Sequence, residues 1–425
     1  MHMFADNPIT SKDKDAFGFA TYVEVLEEVI LQTTPRPFCI GVFGPWGSGK
    51  SSFMQMLRSS LKERKIPTIW FNPWKYDQKE DLWNALIQTV LSAISEHIVD
   101  EAVKDKIKDL AQSASWLALK KAITALTVGV ISEANLDAIS EAFNKTDEKY
   151  YRHINHFEED FAFVAKHYSN DDKLVIFIDD LDRCLPENAI TVLESLKLFF
   201  DNEYCIFVVG IDHDVVEEGI NHRYAGKVPL SGRDYLDKII QIPFFLPHVS
   251  HEKLQASLPT DQIFSEEIWD IIQLAMEGNP RKTRRFINSF SLAHRFLNSP
   301  DQSLQRRIQE GSLMPLSQEA QNIYLAKILV FEMNFPDFYR HLQHNPGDWE
   351  YLVEKVIQGD TGKIREDALE KNKKLNFFWN DSSAFKDFMS KTSGRSYGKY
   401  PPAPGEEIVA LLLRATNLVT EISNP

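Results

Sequence analysis

The stretch that decides the fold of this chain reads VFGPWGSGKSSF and runs from Val42 to Phe53. An apolar run precedes it and a helical pattern follows it, so it joins a buried strand to a helix. Within it, Gly44–Ser51 matches the pattern G-x-x-x-x-G-K-[ST] at every fixed position. Glycines at these positions permit a compact turn whose backbone N–H groups converge on one point. Such a turn is typical of a phosphate-binding site.

The residues of this turn predict how a nucleoside triphosphate would be held. The helix that begins near Lys50 directs its positive end at the phosphates. Lys50 is predicted to bridge the β- and γ-phosphates, and the Ser51 hydroxyl is predicted to bind Mg²⁺. The residues expected to contact the nucleotide are Gly44, Pro45, Trp46, Gly47, Ser48, Gly49, Lys50, Ser51 and Ser52.

The carboxylates that bind the metal and orient the attacking water are predicted in LVIFIDDLDR, Leu174–Arg183. The apolar run indicates a central strand, and the strand ends of an open α/β sheet are where ligands bind. We assign Asp179 to the Mg²⁺ site and Asp180 to orientation of the attacking water. Two alternatives stay open at this point: Asp180 caps the following turn, or Asp182 and Arg183 form a local ion pair without a catalytic part.

A further carboxylate follows the next predicted strand, which ends in VVGID at Asp212. If the two strands are neighbours, Asp212 lies beside Asp179 and could contact the γ-phosphate or hold the water. The alternative is that Asp212 caps the helix predicted from His213 to Gly219.

Five predicted strands alternate with helices, which favours an α/β fold whose sheet is parallel and covered on both faces. Helical spacing also predicts a helix from Asp15 to Ile30. After about Pro247 the pattern becomes helical, apart from a linker or irregular region at Asn298–Ser317 and a polar break at SKTSGRSYGKYPPAPG. The predicted strands are FCIGVF, IPTIWFNPW stopped by Pro73, KLVIFIDD (Lys173–Asp180), YCIFVVGID (Tyr204–Asp212) and a fifth within KIIQIPFFL (Lys238–Leu246).

Composition limits the classes of function. The 425 residues are 43% hydrophobic and carry a net charge of −14, which argues against broad nucleic-acid binding. The three cysteines form no CxxC pair, so we expect a reducing, cytoplasmic compartment. The longest apolar stretch, Ser115–Ile131, is split by two lysines. We therefore predict no transmembrane segment and no membrane contact.

Six motifs occur in order: GVFGPWGSGKSSF, WFNPWKYDQKEDLWNALI, VIFIDDLDRC, VVGIDHDVV, YLDKIIQIPFFLP and GNPRKTRRFIN. With them the chain resembles, from about Asp15 to Phe290, the KAP family of P-loop NTPases, a branch allied to the AAA+ and STAND ATPases.

The resemblance implies a P-loop three-layer sandwich that hydrolyses ATP with Mg²⁺, and a helical module that moves against the sheet. By position it matches Lys50 and Ser51 to the phosphate loop, Asp179 and Asp180 to the acidic pair, and Arg281 to a lid arginine that senses phosphate. The predicted division is an N-terminal helical segment (1–36), a core (37–247) with a helical insertion (about 80–170), a helical lid (248–298) and a C-terminal helical module (299–425).

Two features depart from the family pattern. The insertion holds weakly apolar helical sequence where many members carry transmembrane helices. Phe19 stands where related ATPases often place an arginine, so any contact to the base would be apolar stacking.

Three further groups of residues carry weaker signals. The basic run Arg281–Arg285 could contain the phosphate-sensing arginine, a small nucleic-acid patch or a solvated helix face. The tryptophans Trp70, Trp74 and Trp83 are expected to be packing residues, and Lys75 could approach the nucleotide.

The sequence therefore predicts an ATPase that acts as a switch or motor. The alternative is an ATP-binding assembly protein with little hydrolysis, which joins a homo-oligomer or a protein partner through the C-terminal helices. A small-molecule kinase is disfavoured because no second substrate motif is visible. The family resemblance also implies a part in phage defence.

Overall fold

The computed structural model describes residues 3–32, 37–76, 82–111, 157–170, 172–196, 202–224, 232–258, 263–298, 317–358, 363–393 and 400–423. The chain forms two compact units, which we call the sheet unit (Pro8–Pro247) and the helical unit (Met1–Asn7 with His248–Pro425). The four-part division expected from the sequence stays a prediction. Most of the expected insertion, including Ser115–Ile131, lies outside the described residues.

The sheet unit is built on five parallel strands in the order β2-β3-β4-β1-β5. All five predicted strands are present, and the α/β prediction is confirmed. They are β1 (Phe38–Phe43), β2 (Thr68–Phe71), β3 (Leu174–Ile178), β4 (Cys205–Ile211) and β5 (Ile242–Phe245).

Every residue of β1, β3 and β4 is buried, as expected for central strands whose two faces are both covered. Helix α2 packs on β1, β2 and β4, and α1 packs on α2. The helices of this unit are α1 (Ala20–Gln32), α2 (Lys50–Glu63), α3 (Leu82–Ser95), α4 (Pro186–Ser195), α5 (His213–Tyr224) and α6 (Gly232–Ile239), and residues 101–111 and 157–168 are also helical.

The first helix begins later than the predicted Asp15. The Asp15 carboxylate accepts hydrogen bonds from the backbone N–H groups of Phe17, Gly18 and Ala20, at 3.0, 3.1 and 2.7 Å. Gly18 has a φ of 76°, a conformation that a helix does not allow. Asp15 therefore closes a tight loop, and α1 begins at Ala20.

The helical unit surrounds one central helix, α10, which is buried at Ala320 and throughout 322–331. A helix buried on all sides lies at the centre of its unit. The helices of this unit are α7 (His251–Ser257), α8 (Glu266–Met276), α9 (Pro280–Leu297), α10 (Gln318–Asn334), α11 (Pro336–His344), α12 (Asp348–Tyr351), α13 (Glu366–Lys371), α14 (Lys373–Asp381), α15 (Ser383–Thr392) and α16 (Glu406–Ser423).

Between the predicted linker and the predicted polar break, the expectation of helices is wrong at one place. Two antiparallel strands, β6 (Ile357–Gln358) and β7 (Lys363–Ile364), form a small second sheet. Strands of two residues are too short to show an alternating pattern in the sequence.

Candidate functional site

The phosphate loop and the acidic loop emerge at the same edge of the sheet. Since all strands are parallel, the carboxyl ends of β1, β3 and β4 meet there. Strand β4 lies between β1 and β3, with Phe43 opposite Ile211 and Ile178 opposite Val209. The segments that follow, Gly44–Ser51 from β1 and Asp179–Arg183 from β3, therefore flank the end of β4.

The phosphate loop has the backbone geometry that its glycines predicted. Gly47 and Gly49 have φ angles of 86° and 109°, which residues with a Cβ rarely adopt. The N–H of Ser48 donates to the carbonyl of Pro45 at 3.1 Å, which closes the turn. Helix α2 begins at Lys50, so its positive N-terminal end adjoins the loop.

The Lys50 ammonium is buried and has three acceptors. Its Nζ atom lies 2.7 Å from the carbonyl oxygen of Gly44, 3.4 Å from that of Pro45 and 2.9 Å from Oδ2 of Asp182. An ammonium has three N–H donors, so a phosphate that binds Lys50 must replace or share one of these partners.

The two residues predicted to bind Mg²⁺ are in direct contact. The Ser51 hydroxyl donates to Oδ1 of Asp179 at 3.1 Å. Adjacent oxygens of an octahedral Mg²⁺ shell with bonds of about 2.1 Å lie about 3.0 Å apart. The donor set thus fits a magnesium ion.

Asp179 occupies a space that the neighbouring strand leaves open for it. A Cβ at Gly210 on β4 would lie 3.3 Å from Oδ1 of Asp179 and 2.8 Å from the Met54 sulfur. Burial raises the pKa of the Asp179 carboxyl to about 6, and the charge of Asp180 adds to the rise, while the Ser51 hydrogen bond opposes it. A carboxylate that is costly to ionise in isolation is suited to a cation that neutralises it.

Other polar groups of the loop differ in their partners. The Ser48 hydroxyl is buried and has no hydrogen-bond partner among the residues described, as expected of a group that serves a ligand. The Ser52 hydroxyl instead accepts from the N–H of Ile9 at 3.2 Å.

No cluster of three or more His, Cys, Asp or Glu side chains in the described part of the chain could hold a metal. Mg²⁺ in nucleotide sites depends largely on phosphate and water ligands.

Asp180 is held by two neighbours in an unusual backbone conformation. Its φ of 58° is left-handed, which is uncommon for a residue other than glycine. Its Oδ2 atom accepts from Nδ2 of Asn72 at 2.7 Å, and its Oδ1 atom forms an ion pair with Nε of Arg183 at 2.7 Å. The side chain makes no capping hydrogen bond to the following turn, which is fully described, so the capping alternative is wrong.

Asn72 is a candidate site residue that the sequence analysis missed. It follows β2 directly, at the same edge of the sheet as Asp180. Its own Oδ1 atom is buried without a hydrogen-bond partner among the described residues. Its place at the end of a predicted strand, directly before Pro73, was the available signal, because polar residues at that edge reach the site.

The local ion pair considered for Asp182 and Arg183 is also wrong. The left-handed turn at Asp180 directs Asp182 towards Lys50 and Arg183 back towards Asp180. The Arg183 guanidinium also lies over two indole rings, 5.1 Å from the Trp74 centroid and 6.0 Å from that of Trp46. Since the Trp74 side chain is 50% exposed, it is not the packing residue that we predicted.

Asp212 contacts the phosphate loop. One of its carboxylate oxygens accepts from the backbone N–H of Trp46 at 3.0 Å. The predicted contact of Asp212 with the γ-phosphate or the water stays a prediction.

Phe19 does not present a face to a nucleotide base. Its side chain is 1% exposed, and its ring packs edge-on against Phe53 at 6.2 Å. Its Cε2 atom would lie 3.1 Å from a Cβ at Gly49. Phe19 therefore supports the phosphate loop from within the core and is not placed for the apolar stacking that a base contact at this position would require.

Within the helical unit, Arg281 lies in the first turn of α9, where Asn279 caps the helix. Arg281 forms an ion pair with Asp6, and Arg284 lies 4.0 Å from the same carboxylate. The solvated-face interpretation of the basic run therefore does not hold for Arg281 and Arg284, which lie beside the Asp6 carboxylate. The predicted phosphate-sensing role of Arg281 stays a prediction.

None of the described helices is both long enough and apolar enough to cross a membrane.

Known proteins share sequence with this chain. The profile of the KAP family P-loop domain matches residues 19–297. An uncharacterized protein of Methanocaldococcus jannaschii is 25% identical over 171 residues, which cover 33% of this chain and 88% of that protein. The phage T7 exclusion protein of Escherichia coli K12 is 22% identical over 275 residues, 57% of this chain. The match spans 34%, about a third, of the exclusion protein's length.

Similar solved structures include Cdc6p from Pyrobaculum aerophilum, at 12% identity and a TM-score of 0.42, with 98% of this chain and 97% of that one covered. The Aeropyrum pernix ORC2 protein, solved as ADPNP-ADP complexes, is 10% identical at a TM-score of 0.34, with 95% and 94% covered.

Proposed function

This chain belongs to the KAP family of P-loop NTPases, and on that premise we propose that it is a Mg²⁺-dependent ATPase that acts as a switch or motor. The observation that carries the proposal is the 3.1 Å contact between the Ser51 hydroxyl and the Asp179 carboxylate. It joins the phosphate loop to the acidic loop through the two oxygen ligands that a nucleotide-bound magnesium ion needs.

In this proposal the phosphate loop binds the triphosphate of ATP. Its backbone amides and the N-terminal end of α2 favour negative charge. Lys50 contacts the β- and γ-phosphates, and the Ser48 hydroxyl, which has no partner among the described residues, donates to a phosphate oxygen. Ser51 and Asp179 hold Mg²⁺, which would neutralise developing negative charge on the phosphates.

Asp180 directs the attacking water. As the water oxygen forms its bond to the γ-phosphorus, the bond to the β–γ bridging oxygen breaks, and ADP leaves with the bonding electrons. Asp180 accepts the hydrogen bond of the water and receives its proton as phosphate is released. The two contacts that hold its carboxylate, from Asn72 and Arg183, support this role because a water-orienting group must itself be oriented.

Asp212 and Arg281 are proposed to couple the phosphate state to the rest of the protein. The contact of Asp212 with the N–H of Trp46 supports its part, because movement of the loop would change that hydrogen bond. The part proposed for Arg281 is supported by its place in the first turn of α9, where the positive end of a helix also favours an anion. The order induced by a γ-phosphate and its metal is a recognised route to switching.

Steady-state phosphate release from MgATP tests the proposal, with the variants Lys50→Ala and Asp180→Asn measured beside the wild type. The wild type is expected to release phosphate, and both variants are expected to release it only at the background rate. If the wild type binds ATP and releases no phosphate, alone or with a partner, the chain is instead an assembly protein that uses ATP as a ligand.

A biological role in phage exclusion is a further proposal. It is supported by the 22% identity to the phage T7 exclusion protein over 275 residues. Plating efficiency of phage T7 on cells that express the wild type or Lys50→Ala tests it. Protection by the wild type alone would support a nucleotide-dependent role, and equal plating on both strains would contradict it.

We further propose a cytoplasmic protein that forms a homo-oligomer or binds a protein partner through its C-terminal helices. Sedimentation velocity with and without MgATP tests the homo-oligomer, and a monomer under both conditions would contradict it.

A further inference from the structure

Arg183 occupies a position that connects the two loops of the site. Its guanidinium lies over the rings of both Trp46 and Trp74, while its Nε atom is 2.7 Å from Oδ1 of Asp180. Trp46 belongs to the phosphate loop, and Trp74 belongs to the turn Pro73–Tyr76 after β2. One side chain therefore contacts the phosphate loop, the end of β2 and the carboxylate proposed to direct water.

The backbone of the acidic loop brings Arg183 to this position. The left-handed φ of 58° at Asp180 turns the chain back on itself after β3. A single turn of 3₁₀-helix follows, Leu181–Arg183, and the N–H of Arg183 donates to the carbonyl of Asp180 at 3.2 Å. This turn places the side chain of Arg183 beside that of Asp180, three residues earlier, because a 3₁₀-helix has three residues per turn.

The chemistry of arginine suits this arrangement better than that of lysine. The guanidinium is planar, so its face can stack on indole rings while its edge pairs with a carboxylate. Each exposed stack adds only a small stabilisation, and a partly buried ion pair, here between side chains 27% and 15% exposed, is weak evidence for stability. The arrangement is therefore better explained by orientation of Asp180 than by stability of the fold.

We propose that Arg183 is a positioning residue of the hydrolytic reaction. It fixes the Asp180 carboxylate for attack by water and links that carboxylate to the phosphate loop through Trp46. This inference rests on the proposed ATPase function.

The link to the phosphate loop follows from the contacts of Trp46. Its backbone N–H is bonded to Asp212 and its ring contacts Arg183. A phosphate that draws the loop amides towards itself shifts this residue, and the shift reaches Asp180 through Arg183. Asn72 donates to the other oxygen of Asp180. Without Arg183 the carboxylate therefore keeps one of its two restraints.

Kinetics of Arg183→Gln and Arg183→Lys test the proposal, with Arg58→Gln as the matched control. Arg58 also stacks on a tryptophan, 5.5 Å from the Trp70 centroid, and it pairs with no residue of the acidic loop among those described. We expect Arg183→Gln to lower kcat for MgATP about 100-fold, with KM within about threefold of the wild type. Arg183→Lys should recover part of the loss, and Arg58→Gln should turn over normally.

Tryptophan fluorescence supplies a readout that a purely structural role would not change. Fluorescence is recorded as a slowly hydrolysed ATP analogue binds. The part of this response that disappears in Trp46→Phe comes from Trp46. We expect this part to be altered by Arg183→Gln and unchanged by Arg58→Gln. Thermal melting of each variant shows whether it is folded, and Arg183→Lys keeps the test valid if the glutamine variant is not.

The proposal is overturned if Arg183→Gln retains kcat within about twofold of the wild type, or if it raises KM and leaves kcat unchanged. An equal loss in Arg58→Gln would also overturn it, because the effect would then belong to any arginine–tryptophan stack. Absence of turnover in the wild type contradicts the proposed function itself and is thus distinguishable from failure of this inference.

Discussion

The ammonium of Lys50 lies 2.9 Å from Oδ2 of Asp182, and both side chains are less than 10% exposed. Three carboxylates follow β3, and the one that pairs with the phosphate-loop lysine is the last of them. A phosphate and this carboxylate therefore compete for the same ammonium.

Asp182→Asn is expected to tighten ATP binding and to destabilise the protein without nucleotide. Removal of the carboxylate ends its competition with phosphate, so the Kd for ATP should fall about 10-fold, since each 1.4 kcal/mol is tenfold. The buried ammonium loses its counter-charge, which costs about 3 kcal/mol or more. Isothermal titration calorimetry and thermal melting measure the two effects.

Glu101→Gln is the control for this substitution, because it removes one partner of an exposed pair with Lys104 and should change neither quantity. Weaker ATP binding by Asp182→Asn would show that Asp182 assists the nucleotide and does not compete with it.

Asp179→Asn is expected to change the pH dependence of stability in the absence of Mg²⁺. The folded state holds the proton of Asp179 up to a pKa of about 6, whereas an unfolded Asp titrates near about 3.9. The folded state therefore binds more protons between these values, and this group lowers the free energy of unfolding as the pH rises from about 4 to about 6.

Chemical denaturation in EDTA measures this effect. Asp179→Asn should be more stable than the wild type at pH 8, and the difference should shrink at pH 4.5. Addition of MgATP should stabilise the wild type more than the variant, because the ion binds the charged carboxylate. A difference that does not change with pH would contradict the account.

Asp180→Asn and Asp180→Gly are expected to fold and to lose turnover. Asparagine and glycine both tolerate the left-handed backbone at this position, where φ is 58°. ATP should still bind, while kcat should fall at least about 100-fold because no carboxylate orients the water. Asp180→Ala should lose turnover as well but be less stable than the glycine variant, since alanine disfavours this backbone. Wild-type turnover by either of the first two variants would show that another group orients the water.

The sequence predicted those parts of the fold and site that depend on local patterns. The five strands are continuous apolar runs, and the phosphate loop is defined by glycines at fixed spacing, so each could be located without a structure. The contact between Ser51 and Asp179 followed from the rule that parallel strands end at one edge.

Contacts that depend on the path of the chain after a strand were not predictable. The left-handed turn at Asp180 decides that Asp182 pairs with Lys50 and Arg183 with Asp180, and a run of alternating charges does not reveal it. Asn72 was missed because a single amide at the end of a strand has no distinctive spacing. Trp74 was misjudged because hydrophobic character alone does not show whether a ring is buried or stacked on a cation.

The measurement that tests the central claim most directly is ATP binding by calorimetry and phosphate release in the same preparation of wild type, Lys50→Ala and Asp180→Asn. The account predicts that the wild type binds MgATP and releases phosphate, that Asp180→Asn binds without release, and that Lys50→Ala does neither. A wild type that takes up no ATP, or an Asp180→Asn variant that hydrolyses it at the wild-type rate, would contradict the account.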